Sequence, residues 1–431
     1  MKVRILVVSL HDDNFGDNLI RICFISLLKV VLQNLGVHDY SIVNMHLKRI
    51  DGDIVKNSTI IFFSGGAIIG HNYLHSYQFV DQITRLAEDA NIPVIFSSVG
   101  INNKDATAQS DREVTDMLSR ACVKAISVRD TPAVFNKYAE NQDFDVEVVA
   151  DPACWVRYVY NIIPKSSDIV GINVVRGGLF QSNGRSWQLA DQIGYLLKLK
   201  ALLDDAGIDY RFYTNGSFND DNALLYFATE NNIPEEKFIL VNTSKQLVEV
   251  IASFGACAAV RMHSSIVAYS LGVPSTSLVW NDKIPFFYHY IGHDDRALSE
   301  KDWDVNKVFS SMQRFLAYPP ETVDSTYLMS LYRFIFRVAS DYLVESTEDM
   351  FDFDKVTEIL AQQASYIDED INDLRIKLRR GQKKYLAGYR LVTSIQSNIA
   401  YKIAKKLRLI DLVLKLRKLQ RRKRSSAKNQ Q

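Results

Sequence analysis

The stretch "VRMHSSIVAYSLGVPSTSLVWNDK", residues 260–283, holds the side chains best suited to chemistry in this 431-residue chain. Arg261 closes a short apolar run, and His263 stands in the first turn of a helix whose inner face is Ile266, Val267, Ser270 and Leu271. Gly272 stops that helix, Pro274 leads into the next strand, and Asn281, Asp282 and Lys283 follow it. A histidine at the positive end of a helix is disfavoured in its protonated form. Capping that turn calls for Ser, Thr or Asp rather than Arg-x-His, and unpaired charges are rare at buried strand ends, so a functional reading outweighs a packing one. Arg176, in "NVVRGG", ends the first strand of the same half. Arg176, Arg261, His263 and Lys283 would together make a small cationic pocket. Arginine binds carboxylate and phosphate bidentately, and histidine and lysine deliver protons, so the pocket suits a compact, multiply charged anion. No carboxylate pair at a hydrolytic spacing and no serine elbow accompanies it.

A second polar cluster lies near the start, in "HDDNFGDNLI", residues 11–20. Gly16 permits a tight turn and Asp17 is placed to cap a helix beginning near Asn18; capping and ligand binding account for Asp17 equally well. Asn14 and Asn18 are less needed for capping, and their amides would suit a ligand oxygen or sugar hydroxyl. "SGGAIIGHNYLHSY" puts Gly65 and Gly66 at a strand end, where backbone N–H groups can approach an anion. The spacing is neither GxGxxG nor a phosphate loop with its lysine. His71 and His75 are four apart without the glutamate and third ligand of a metal site, so no metal is expected there.

Short apolar runs alternating with helical periodicity must position these groups. Strands are predicted at 3–9, 58–64, 93–99, 125–129 and 146–150, with helices at 77–90 and 108–121 among them. After a hinge around Pro164, Lys165 and the following serines the pattern restarts. Strands at 169–175, 209–214, 237–241, 256–261 and 275–280 alternate with helices such as 187–206 and 219–231. Such alternation means parallel sheets covered on both faces, so the chain is α/β, with two doubly wound Rossmann-like domains facing across a cleft. Ligands of open parallel sheets bind beyond the carboxyl ends of the strands, and glycines or polar residues follow nearly every strand here. The expected division is 1–163, 166–320, a helical segment over 321–370 that packs on the body, and a tail over 371–431.

Composition is ordinary for a globular α/β chain, with 47% hydrophobic and 23% charged residues. Cys23, Cys122, Cys154 and Cys257 are scattered in apolar surroundings and read as reduced, which points to the cytosol. No signal peptide is expected ahead of the first strand, and the most apolar helix, 327–344, is interrupted by Arg333, Arg337 and Asp341. The near-neutral total hides a division. Residues 371–431 carry 19 Lys+Arg against 2 Asp+Glu, a net of +17, and residues 1–370 carry 32 against 48, a net of −16. Within the tail, Ile403, Leu407, Ile410 and Leu414 fall on one helical face with lysines and arginines opposite. A solvated basic end, a coiled-coil seam or a nucleic-acid-binding segment would also carry such charges. With leucines on one face and few aromatics, 401–424 fits anionic lipid better, and no nucleic-acid partner is expected.

The stretches "NFGDNLI", "FSGGAIIG", "SVRDTPA", "VADPA", "RMHSSIVAYSLGVPSTSLVW" and "NDKIPFFYHYIG" together resemble the polysaccharide pyruvyl transferases, in order from about residue 5 to about 295. The resemblance implies a GT-B-like two-domain fold. It implies transfer of the carboxyvinyl unit of phosphoenolpyruvate onto a sugar of a surface polysaccharide precursor, closing a pyruvate ketal. By the same analogy Arg176, Arg261 and His263 would bind the phosphate and carboxylate of the donor, and His263 or Lys283 would be the general acid. From their own types and positions, Gly65 and Gly66 are expected on the donor and Asn14, Asp17 and Asn18 on the acceptor. The scheme needs no cofactor or metal. The reduced cysteines and the basic tail place the chain in the cytoplasm, on the inner membrane face. That agrees with a lipid-linked glycan acceptor but leaves a free or nucleotide-linked one open. Two other readings stay open. A glycosyltransferase of the same fold would take a nucleotide sugar and want a ribose-binding carboxylate, for which Asp282 is a candidate; a non-catalytic scaffold would bind without turnover.

Overall fold

The computed structural model describes residues 2–10, 14–69, 76–101, 107–140, 142–317, 321–344 and 349–367. His11, Gly70, His71, His75 and the basic segment 401–424 lie outside the described residues. Met1–Ala228 and Ile233–Ile371 form one compact unit that carries both sheets; the second unit takes in Thr229–Asn232 and Asn372–Gln431.

The first half opens with β1 (Val3–Ser9), α1 (Phe15–Asn34), β2 (Tyr40–His46), α2 (Gly52–Lys56), β3 (Ile60–Phe63) and β4 (Gly66–Ile69). It continues with α3 (Ser76–Asp89), β5 (Val94–Ile101), α4 (Ala108–Leu118), β6 (Val123–Val128), α5 (Pro132–Tyr138) and β7 (Glu147–Val148). These strands make a parallel seven-stranded sheet in the order β2-β1-β3-β5-β6-β7, with β4 paired to β5. β3 and β5 are buried along their whole length, as strands covered on both faces must be.

A 3₁₀ turn, Pro152–Trp155, and α6 (Val156–Val159) lead into the second half. There follow β8 (Val170–Asn173), α7 (Leu179–Ser182), α8 (Leu189–Asp205), β9 (Tyr210–Tyr213) and α9 (Phe218–Glu230). Then come β10 (Phe238–Ile239), α10 (Ser244–Ala252), β11 (Ala256–Ala259), α11 (Met262–Ser270), β12 (Ser275–Leu278), α12 (Lys283–Tyr290) and β13 (Ala297–Leu298). The second sheet is parallel in the order β10-β9-β8-β11-β12-β13. Helices α13 (Val305–Leu316), α14 (Ser325–Leu343) and α15 (Phe353–Gln363) complete the body.

Two sequence expectations shift. β2, β4 and β13 were not anticipated: β2 has only Met45 fully buried, β4 follows a glycine pair, and β13 has two residues, so none shows a bounded apolar run. Helix α1 begins at Phe15, not near Asn18, and its N-cap is Asn14, whose Oδ1 accepts from the Gly16 amide at 3.2 Å. Asp17 is therefore a first-turn residue rather than the cap, and the Asn14 amide donates to its Oδ2 at 3.0 Å.

One apolar core runs through both halves. Phe15, Leu19, Phe24 and Leu27 of α1 share it with Trp155, Tyr213, Leu247, Ile251, Ile266 and Tyr269. α14 and α15 join the same core through Leu328, Tyr332, Ile335 and Ile359. The Trp155 indole donates to the Leu328 carbonyl at 3.2 Å, and the Tyr332 hydroxyl to Asn34 Oδ1 at 2.8 Å. All nine residues of α11 are buried, so this helix has no solvent-exposed face and is packed on every side. All four cysteines are free and buried. Among the described residues no helix is long and apolar enough to cross a membrane.

Candidate active site

The polar residues that follow β1, β6, β7, β8, β9, β11 and β12 converge where α11 meets α1. Arg261 is the N-cap of α11, and its side chain makes no capping bond. Its guanidinium instead grips Asp220, Nε to Oδ2 and Nη2 to Oδ1, both at 2.8 Å. Asp220 is fully buried and also accepts the Arg176 amide at 2.8 Å. Asn173 completes this corner: its Oδ1 accepts the Arg261 amide at 2.9 Å and its Nδ2 donates to Asn215 Oδ1 at 3.1 Å. The Ser264 hydroxyl donates to that same Asn215 oxygen at 2.6 Å, and the Asn215 carbonyl accepts the Phe15 amide of α1 at 3.1 Å. The two halves are thus joined by a backbone hydrogen bond beside the site.

His263 crosses that junction. Its Nε2 lies 3.5 Å from Arg129 Nη1 and 3.8 Å from Asp151 Oδ2, both contributed by the first half. Arg129 is 6% exposed and Asp151 1%. The Arg129 guanidinium donates to Asp151 Oδ2 and has Asp130 Oδ2 at 3.6 Å from its Nε. Burial alone would raise the Asp151 carboxyl, but Arg129, the His263 ring and the Ala153 amide hold it well below the usual carboxylate range. Asp130 is anchored by the Thr131 hydroxyl at 3.0 Å and the Ile101 amide at 3.4 Å. The other edge of the imidazole rests on Gly16. A Cβ built there would fall 2.6 Å from His263 Cγ and 2.8 Å from its Cβ, closer still to Nδ1. Glycine stands at this position of α1 because the histidine occupies the space a side chain would need.

Lys283 begins α12, with Asp130, Asp17 and Arg129 as its charged neighbours. Removal from water draws its ammonium down to about 8, with the two carboxylates pulling upward and Arg129 pushing further down. Of the other expected residues, Asn14 and Asp17 bond to each other at the mouth of α1, and Asn18 is half-buried one residue on. A Cβ built on Gly65, which sits at φ +99°, would fall 2.9 Å from Ile20 Cγ2 and 3.2 Å from the Ser98 carbonyl oxygen, and Gly66 opens β4. That packing already explains Gly65. Asp282 is exposed, with Arg185 Nη2 at 3.8 Å from its carboxylate.

The site is not the purely cationic pocket expected from residue types: Asp220 neutralises Arg261, and Asp130 and Asp151 surround Arg129. Sequence reasoning missed Arg129, Asp130, Asp151, Asn173, Asn215 and Asp220. The first three stand in "VRDTPA" and "VADPA", directly after strands, where a charged residue beyond a buried run was the available signal. Among the described residues, no group of three or more His, Cys, Asp or Glu is placed to hold a metal ion.

The geometry gathers a histidine, a lysine and two arginines, each arginine held by buried carboxylates, at the strand ends. A family model for polysaccharide pyruvyl transferase matches residues 14–282, more than half of the chain and every residue of this site except Lys283. The chain belongs to the polysaccharide pyruvyl transferase family. No curated protein matches it. Among solved structures, this pyruvyl transferase family member is similar to an MnaA–UDP co-structure from S. aureus (TM-score 0.50, 11% identity, 82% of this chain and 100% of that one). It is also similar to a UDP-GlcNAc 2-epimerase from Neisseria meningitidis bound to UDP-GlcNAc (TM-score 0.47, 11% identity, 80% and 100%). A functionally uncharacterised protein from Klebsiella pneumoniae aligns with 69% of this chain and 92% of its own (TM-score 0.38, 14% identity). At 11% identity the likeness to the MnaA structure speaks to fold alone, a GT-B-like pair of parallel α/β domains.

Proposed function

We propose that this transferase moves the carboxyvinyl unit of phosphoenolpyruvate onto a sugar of a surface polysaccharide precursor and closes a pyruvate ketal there. The observation that carries the proposal is the Arg129–Asp151–His263 cluster, built from both halves at the strand ends, with Arg261 and Lys283 beside it. Phosphoenolpyruvate is a small trianion. Arg261, Arg129 and the amide end of α11 supply the positive groups such a ligand needs, in a setting where buried charge is strongly felt. Proton delivery to the methylene carbon falls to Lys283 or His263. Lys283, with its proton affinity lowered to about 8, stays largely protonated at neutral pH and yields the proton more readily than a free lysine.

Protonation makes the adjacent carbon electrophilic, and a sugar hydroxyl adds to it. Loss of phosphate then lets a second hydroxyl close the ketal. One hydroxyl proton restores the general acid and the other leaves on phosphate, so charge and protons balance. Fixed dipoles and charges around the developing cation, rather than covalent help, would carry most of the acceleration.

The test follows phosphate and the ketal methyl signal by NMR in a mixture of the full chain, phosphoenolpyruvate and a surface-glycan precursor fraction. Both should rise together and vanish in His263→Ala. Phosphate release without a ketal methyl, or an active His263→Ala variant, contradicts the proposal.

A further inference from the structure

A cavity of about 420 Å³ opens between α8 and α9 beside the end of β8. That volume lies within the about 300–1,000 Å³ range of small-molecule sites. Its two walls differ in chemistry. Leu189, Ile193 and Leu196 of α8, spaced for one helical face, give an apolar wall. Asn219, Asn222 and Tyr226 of α9 recur at i, i+3 and i+7 and face them, while the neighbouring Asp220, Asp221, Leu224 and Leu225 are buried. Arg176 and Gly177 close the end nearest the active site.

Among the described residues six large hydrophobic side chains are exposed, and two of them, Leu189 at 43% and Tyr226 at 44%, flank this cavity. Apolar surface left in water and rimmed by polar groups marks a binding site. An aromatic ring whose negative face attracts C–H edges, beside carboxamides that both donate and accept, matches one face and the hydroxyl rim of a pyranose. A lipid chain would set the Asn219 amide against an apolar contact, at a cost of about 1–3 kcal/mol. The cavity also joins the chemistry. The Arg176 amide and the Arg261 guanidinium share Asp220, and His263 lies two residues beyond Arg261.

We infer that this cavity is a glycan subsite, holding a pyranose unit next to the one that receives the pyruvyl group, so that the enzyme reads at least two sugars of its acceptor. The inference rests on the transferase reading for the presence of a glycan. Its test is saturation-transfer NMR on the full chain with cellobiose and N,N′-diacetylchitobiose as probes, alongside calorimetry with phosphoenolpyruvate. Saccharide saturation is expected in the wild type and in Tyr226→Phe. A loss of at least tenfold is expected in Tyr226→Ala and a weaker one in Asn219→Ala, with phosphoenolpyruvate affinity unchanged throughout. Absence of saccharide binding overturns the subsite, as does binding indifferent to Tyr226→Ala, or uridine diphosphate displacing the saccharide from the cavity. Failure of phosphoenolpyruvate to bind any of the proteins would instead overturn the donor assignment, leaving the saccharide result to stand on its own.

Discussion

Replacing Gly16 by alanine should damage the site from a residue that contributes no side chain. In an ordinary helix the change would stabilise by about 1 kcal/mol, because alanine is the better helix former. Here the new methyl would lie 2.6 Å from His263 Cγ. Neither side can yield easily. The imidazole is held from the far side by Arg129, 3.5 Å away, and α11 behind it is buried throughout. α1 is pinned by the Phe15 amide on the Asn215 carbonyl at 3.1 Å. Overpacking of this kind costs about 1–3 kcal/mol, so the propensity gain is offset and a net loss of up to about 2 kcal/mol is expected. A displacement of the histidine by about 1 Å is enough for a rate loss on the order of 10²-fold. Gly194, inside α8 with nothing within 4 Å of a built Cβ, provides the control, and Gly194→Ala should gain about the full propensity term. Urea unfolding and transfer rate measured on both variants decide the matter. If Gly16→Ala is as active as the wild type and gains stability as Gly194→Ala does, the close approach of α1 to His263 is not the reason for glycine.

Asp151→Asn would leave the buried Arg129 guanidinium with Asp130, 3.6 Å from its Nε, as its remaining counter-charge, and should cost up to about 3–5 kcal/mol in urea unfolding. Because the folded Asp151 carboxyl sits below its ordinary value near 3.9, its contribution is complete above about pH 4 and is lost as pH falls further; the gap between wild type and Asp151→Asn should narrow there. For Lys283, lowered to about 8, the unfolded chain binds more protons between about pH 8 and 10, so stability should rise with pH in that window, and Lys283→Met should flatten the rise. Transfer rate should fall above about pH 8 if the Lys283 ammonium delivers the proton, and an alkaline limb that persists in a still active Lys283→Met variant would assign it elsewhere. Asp220→Asn should loosen Arg261 and weaken phosphoenolpyruvate binding tenfold or more by calorimetry.

Much of this fold is legible in sequence because its strands are continuous apolar runs, which a sheet covered on both faces requires. β1 falls where its run does, and β5, β8 and β9 lie within a residue or two of theirs. Strands without such a run, β2 and the two-residue β13, escape notice. Arg261, His263 and Lys283 were visible because their types are unusual at helix starts. Asp220 was not, since an aspartate in the first turn of α9 reads as a charge suited to the helix dipole; only the fold shows it buried beneath Arg261. Asp17 illustrates the reverse error. The residue that caps α1 is Asn14, because the chain turns helical three residues earlier than the polar cluster implied. Arg129 and Asp151, 22 residues apart, become a pair only because β6 and β7 are neighbours in the sheet.

The site between α1 and α11 should take phosphoenolpyruvate. Calorimetric titration of phosphoenolpyruvate into the full chain, with UDP-GlcNAc as the competing candidate and Arg261→Lys as the variant, addresses it directly. Saturable binding of phosphoenolpyruvate is expected, weakened at least tenfold in Arg261→Lys because the bidentate hold on Asp220 is lost, with no comparable binding of UDP-GlcNAc. Binding of UDP-GlcNAc alone, or phosphoenolpyruvate affinity untouched by Arg261→Lys, would contradict it.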